Sequence, residues 1–138
     1  MNLAASMQER VKGLLPDLLG IEFTEVTPEK VVAQLTVRKD LCTLGDNLHG
    51  GAIMAFADTL GAVAAILNMP NGSRTTTIES KTNFIGGAAV GTRVIGESLP
   101  VHKGRTTVVC QTTLRSEAGK LVALVTQTQL VIAPQTGV

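Results

Sequence analysis

The chain of 138 residues has no tryptophan, no tyrosine and only three phenylalanines, Phe23, Phe56 and Phe84. Proteins that grip single-stranded nucleic acid stack bases on aromatic rings, and that platform is missing. An excess of one charge is missing too. Twelve Lys and Arg stand against eleven Asp and Glu, with no basic tract to hold nucleic acid or anionic lipid. The two cysteines, Cys42 and Cys110, are too few for a disulfide framework and lack metal-ligand spacing, so both are expected to be free and reduced, and no metal site is expected. The first residues, MNLAASMQERVKGLL, lack a basic segment followed by an apolar one. No secretory signal is visible, and the expected compartment is the cytoplasm. No repeat, linker or low-complexity stretch interrupts the chain, which fits one domain over residues 1–138.

What the chain does have is one long apolar run. From Gly50 to Leu67 it reads GGAIMAFADTLGAVAAIL, eighteen residues with a single ionisable side chain, Asp58. A membrane span of such length would not place an acid near its middle, so the run predicts a helix apolar all round and therefore buried. A lone buried carboxylate is costly unless it is partnered or protonated, so Asp58 needs a reason to be there. A structural reason, capping a neighbouring loop, and a functional one are about equally common for such acids.

The remaining segments predict the layers around that helix. Residues 3–15 carry apolar positions at helical spacing, with Pro16 ending that helix or lying just beyond it. The stretches IEFTEV and VVAQLTV, joined by a turn-like Thr27-Pro28-Glu29-Lys30, predict a hairpin. Residues 38–48 predict a loop leading to the long helix, and Asn68-Met69-Pro70-Asn71-Gly72 ends it. Strands are expected over Arg74–Ile85, Thr92–His102, Arg105–Arg115 and Leu121–Ile132, with tight turns at Lys103-Gly104 and Glu117–Lys120 and a frayed tail after Ala133. The small residues Ala52, Ala55, Ala57, Gly61, Ala62, Ala64 and Ala65 would let a sheet approach the helix backbone closely. The expected class is α+β, an antiparallel sheet of about five strands, up to six, wrapped around a long central helix. Its open edges are an aggregation hazard in a monomer, so at least a homodimer is expected.

The segment Asn47-Leu48-His49-Gly50-Gly51-Ala52, with Asp58 nine positions after His49, resembles the hotdog-fold acyl-CoA thioesterases, most closely the phenylacetate-degradation (PaaI-type) subgroup. The likeness runs through nearly the whole chain. It implies an enzyme hydrolysing an acyl-CoA thioester to a carboxylic acid and free coenzyme A, needing no cofactor beyond the coenzyme A of its substrate. The free N–H groups at the helix start, chiefly Gly50, would form the oxyanion hole. Asp58 would act as nucleophile or general base, His49 would orient the oxyanion loop, and Thr77 would position water, with Thr76 competing for that place. Gly51 also belongs to the motif. Six residues before the histidine the family commonly has Asn or Gln. Here that position is Thr43, and Asn47 lies nearby.

Gly50 and Asp58 are eight residues apart, ~12 Å along a helix axis, so one helix cannot present both to a single carbonyl. If both act on one carbon, two copies must share each site, and the resemblance implies such a homodimer, assembled further as a dimer of dimers. Lys103 and Arg105, flanking a tight turn, are candidates for the coenzyme A phosphates, although basic residues there are more often solvated hairpin tips. The glycines alone would read as an ordinary helix cap, and the threonines as β-propensity. An acyl-thioester hydratase or dehydratase and a non-catalytic acyl-CoA-binding module are the alternative functions. Phe56, Phe84 and Met54 are expected in the core, with the lining of an acyl pocket as the alternative for each.

Overall fold

The structure is a computed structural model describing residues 2–135. Two short helices, α1 (Leu3–Arg10) and α2 (Leu15–Leu19), precede strands β1 (Glu22–Val26) and β2 (Val31–Thr36). A single 3-10 turn over Lys39–Leu41 leads into α3 (Gly50–Ile66), followed by β3 (Arg74–Phe84), β4 (Arg93–Lys103), β5 (Thr107–Ser116) and β6 (Leu121–Ile132). The six strands form one antiparallel sheet in the order β1-β2-β4-β5-β6-β3. The sheet thus takes the upper limit of the expected strand number and wraps α3 as predicted.

Pro16 does not close the first helix. It sits in the first turn of α2, where the missing N–H is no loss and the fixed φ suits the helix, and Gly20 ends α2 at φ 79°. β4 begins and ends one residue later than expected, and β5 begins at Thr107, leaving Arg105 in the connection between them. Positions 136–138 of the tail expected to fray lie outside the described residues.

β3 does not lie beside β4, the next strand in sequence. It pairs with β6 at the far edge of the sheet. Its register shifts between Thr77 and Glu79, a bulge at Ile78 that inverts the alternation of sides. Thr75 and Thr77 before the bulge, and Ser80 and Thr82 after it, are half-buried, while Glu79 and Lys81 are exposed. Strict alternation would have turned those two charges inward with Thr77.

α3 lays Ile53, Phe56, Ala57, Leu60, Gly61 and Ala64 into the core. Two glycines set the distance: a Cβ on Gly61 would lie 2.3 Å from the Gln127 side chain, and one on Gly96 would lie 3.1 Å from Phe56. Burial on every side, as the composition of α3 predicted, does not hold within one chain. The sheet covers one face of the helix only. On the other, Met54 is 38 % exposed and Ala52, Ala55, Asp58 and Ala62 are half-buried. Phe84 likewise lies outside the core, 56 % exposed at the end of an edge strand. Phe56 is buried as expected.

Candidate active site

The start of α3 is capped by its own histidine. His49 is the N-cap, and the Gly51 N–H donates to its Nδ1 at 2.7 Å. A ring nitrogen that accepts carries no proton, so the proton of the neutral imidazole sits on Nε2. The cap uses the Gly51 N–H, while among the described residues no acceptor faces the Gly50 N–H. Such unpaired donors at a helix start, together with the helix dipole, favour an anion or a developing negative charge. Phe84 lies against Gly50, where a Cβ would come within 3.1 Å of the ring.

The approach to His49 is a closed loop. Cys42 and Leu48 form a bridge, Thr43 N–H donates to Asn47 O at 2.8 Å, and His49 N–H donates to Leu41 O at 2.8 Å. Gly45 and Asp46 turn the tip with φ of 88° and 58°. Thr43 and Asn47 therefore face each other across one turn, four residues apart in sequence but adjacent in space. The Asn47 carboxamide is folded back, its Nδ2 donating to Gly45 O at 3.2 Å.

Asp58 lies two turns further along α3, half-buried. Thr77 Oγ1 donates to Asp58 Oδ1 at 2.6 Å. Of the two candidate threonines it is Thr77 that meets the carboxylate. Thr76, next to it on the strand, is exposed and makes no such contact. Behind them stand two residues that the sequence reading missed. Gln127 Nε2 reaches Asp58 Oδ1 at 3.3 Å, and Gln129 Nε2 donates to Thr77 Oγ1 at 2.7 Å. Both glutamines are completely buried. Their signal was present in the sequence: in LVALVTQTQLVI they fall on the same side as Val125 and Val131, where an inward-facing strand position calls for an apolar residue.

Within one chain the two halves of the candidate site open to different places. Asp58 borders a largely apolar depression of about 400 Å³ lined by Met7, Val11, Leu14, Leu15, Ala62 and Ile66 among others. His49 and Gly51 border another, of about 310 Å³, with Leu19, Leu41, Cys42 and Ala55. Among the described residues, Leu15 of α2 is the one that lines both. Lys103 and Arg105 sit at the β4–β5 connection, exposed, and contact neither half. That turn does need its glycine, since a Cβ on Gly104 would come within 2.9 Å of the Thr107 backbone carbonyl oxygen. Cys110, beneath α3, is buried and its burial pushes the thiol from 9.0 up to about 11, so it is not a nucleophile at neutral pH.

A six-stranded antiparallel sheet wrapped around one helix, with a capped helix start and a partnered acid two turns on, defines a hotdog-fold enzyme. The sequence matches the Thioesterase superfamily over residues 45–123, and the chain belongs to that family and is a thioester hydrolase. It is 30 % identical over 108 residues to the proofreading thioesterase EntH of Cronobacter turicensis, covering 78 % of each chain. Among solved structures it matches thioesterase HI1161 of Haemophilus influenzae with a TM-score of 0.91 at 24 % identity, covering 99 % of this chain and 94 % of that one. It matches the E. coli PaaI protein from the phenylacetic acid degradation operon with a TM-score of 0.85 at 20 % identity, covering 96 % and 93 %. A Streptococcus mutans protein bound to acetyl CoA matches with a TM-score of 0.77 at 22 % identity, covering 84 % and 91 %. These three structural likenesses speak to the fold. No helix among the described residues is long and apolar enough to cross a membrane.

Proposed function

We propose that the protein hydrolyses acyl-CoA thioesters in sites shared between two copies of the chain, Asp58 of one copy activating water and the Gly50 N–H of the other receiving the carbonyl oxygen. The observation that carries this reading is the separation of two complementary parts. One helix holds an unpaired donor at its start and a carboxylate ~12 Å further along its axis, and the depression bordered by the neighbouring His49 and Gly51 is not the one bordered by Asp58. A second helix running antiparallel across a two-fold axis would bring each start against the other's acid. The free edge of β3, with Ile78, Phe84 and Ile85 exposed, supplies a surface for such pairing. That edge is long, whereas β1 at the opposite edge has five residues, two of them glutamates, which is how sheets discourage pairing.

In this arrangement water attacks the thioester carbon as Asp58 takes its proton. The oxygen gains negative charge facing the Gly50 N–H, where a donor of this kind is worth ~3–4 kcal/mol by removal. Collapse of the intermediate breaks the C–S bond, and the coenzyme A thiolate leaves and is protonated. Thr77 can hold the water beside Asp58, since a hydroxyl that donates once and accepts once keeps one lone pair. His49 supports the oxyanion loop through its cap on Gly51. The apolar depression beside Asp58 suits an apolar acyl group. Thr43 and Asn47, facing each other beside His49, supply the polar contact to the carbonyl or water that the family commonly makes with Asn or Gln. Lys103 and Arg105 serve the coenzyme A phosphates. The dimers pair further into a dimer of dimers.

A panel of acyl-CoA substrates read by release of free thiol tests the proposal. Wild type should release thiol on at least one acyl class, and Asp58→Ala should not. Equal background release by both proteins on every substrate would sink it, and hydration of an enoyl-CoA without thiol release would favour the hydratase alternative.

A further inference from the structure

β6 carries two glutamines on its inward face, Gln127 and Gln129, with no exposed surface. Buried amides need partners; Gln127 Oε1 has none among the described residues, and apart from Thr75 and one contact of Gln127 with the Asp58 backbone carbonyl at 3.4 Å, those found belong to the candidate site. Gln129 donates to Thr77 Oγ1 at 2.7 Å and accepts from Thr75 Oγ1 at 2.9 Å. Gln127 donates to Asp58 Oδ1 at 3.3 Å. The direction of the whole chain of bonds follows from the carboxylate. An ionised Asp58 can only accept, so Thr77 must donate to it. The Thr77 oxygen then has to accept from behind, which the Gln129 amide N–H satisfies, leaving the Gln129 carbonyl to accept from Thr75.

Both donors converge on the same oxygen. Thr77 Oγ1 and Gln127 Nε2 meet Oδ1, while among the described residues Oδ2 receives no hydrogen bond. We propose that Gln127 and Gln129 are positioning residues that hold Oδ1 of Asp58 between two donors and so present Oδ2 as the oxygen that acts on water or substrate. Gln129 works through Thr77: it fixes the hydroxyl as a donor to the acid and keeps it from rotating toward another acceptor. Gln127 works on Asp58 directly, and its place beneath the helix depends on Gly61, where a Cβ would lie 2.3–2.5 Å from three atoms of its side chain. The inference rests on the reading of Asp58 as the reacting carboxylate.

Methionine matches glutamine in length and volume, so Gln127→Met and Gln129→Met remove the hydrogen bonds and keep the packing. Each should lower kcat about tenfold, the size of one lost hydrogen bond near a charged group, with KM within about twofold because neither residue is placed against substrate. The two should then differ in a Thr77→Ala background. Gln129→Met should cost less than about twofold more there, having lost the group it acts through, whereas the Gln127→Met effect should persist. A residue that only filled space would show neither the kcat-against-KM split nor that contrast. Wild-type kcat in either methionine variant, or an undiminished Gln129→Met effect without Thr77, overturns the proposal. If Gln129→Met fails to fold, Thr75→Val removes the donor to its carbonyl and should lower kcat in the same direction; wild-type kcat there overturns the proposal equally. Asp58→Asn separates the two readings. Full activity in Asp58→Asn defeats the site assignment and this inference together, while an inactive Asp58→Asn beside fully active glutamine variants defeats this inference alone.

Discussion

Substituting Asp58 by asparagine changes one atom of the side chain and removes its capacity to take a proton. The carbonyl of the new amide can still accept from Thr77, so the unfolding midpoint should stay near wild type while kcat falls about 10²–10⁴-fold, the usual worth of general-base catalysis. A wild-type kcat in that variant would remove Asp58 from the chemistry. Water activation and direct attack by Asp58 differ in where solvent oxygen goes. In a single turnover in ¹⁸O water with enzyme in excess, the released acid should carry the label; unlabelled acid in the first turnover would point to a covalent intermediate on Asp58. At this scale Asp58, His49 and Gly50 were legible because each is unusual for its place: a lone acid in an apolar run, and a histidine followed by two glycines at a helix start. Thr77 could not be told from Thr76 by counting, since the choice depends on which side of β3 each faces, and the bulge at Ile78 resets that beyond Thr77. Gln127 and Gln129 were legible in principle, as polar residues at inward positions of a strand, but only once the inward side of β6 is known.

Between elements, α3 and β6 approach so closely at Gly61 that a Cβ there would lie 2.3 Å from the Gln127 side chain. Gly61→Ala would put a methyl group into the space of the buried Gln127 amide, and overpacking of this kind costs about 1–3 kcal/mol. A lower denaturation midpoint together with lower thiol release is the expected outcome; an unchanged protein would mean that Gln127 can turn aside freely. Cys110 lies under the same helix, its Sγ 3.7 Å from Gly61 O. Its folded-state pKa is raised, to about 11 from 9.0, so the folded state keeps the thiol proton that the unfolded state gives up. The contribution to stability is complete below pH 9 and is lost as pH rises toward 11. Urea midpoints measured at pH 8 and pH 10.5 should therefore fall further in wild type than in Cys110→Ala; equal falls would contradict the burial of the thiol. The elements themselves were largely legible from alternation and turn residues, β6 to the residue. Their order in the sheet was not, because local patterns say nothing of β3 crossing to the far edge, and the half-exposed side of α3 could not be separated from its buried side in a helix whose residues are apolar in every direction.

On the scale of the whole molecule, the half-exposed face of α3 and the free edge of β3 are what a single chain leaves uncovered. Met54 and the small residues Ala52, Ala55 and Ala62 on that face explain why the helix is apolar all round although its own sheet covers one side. With a second chain on the other side, as proposed, each active site would be a joint property of two copies. The most direct measurement uses two inactive variants. Asp58→Ala removes the acid, and Gly50→Pro removes the donor while keeping a residue that the first helical position tolerates, provided the exposed Phe84 ring, 3.1 Å from a Cβ at that position, turns aside. His49 before it is already extended, at φ −62° and ψ 139°, as a residue preceding proline must be. Each protein alone should release almost no thiol. After the two are mixed and subunit exchange is verified, each mixed dimer would contain one site with both Asp58 and Gly50 intact, and thiol release should recover to about a quarter of wild type if pairing is random in a two-fold dimer. No recovery in the exchanged mixture would contradict the shared site.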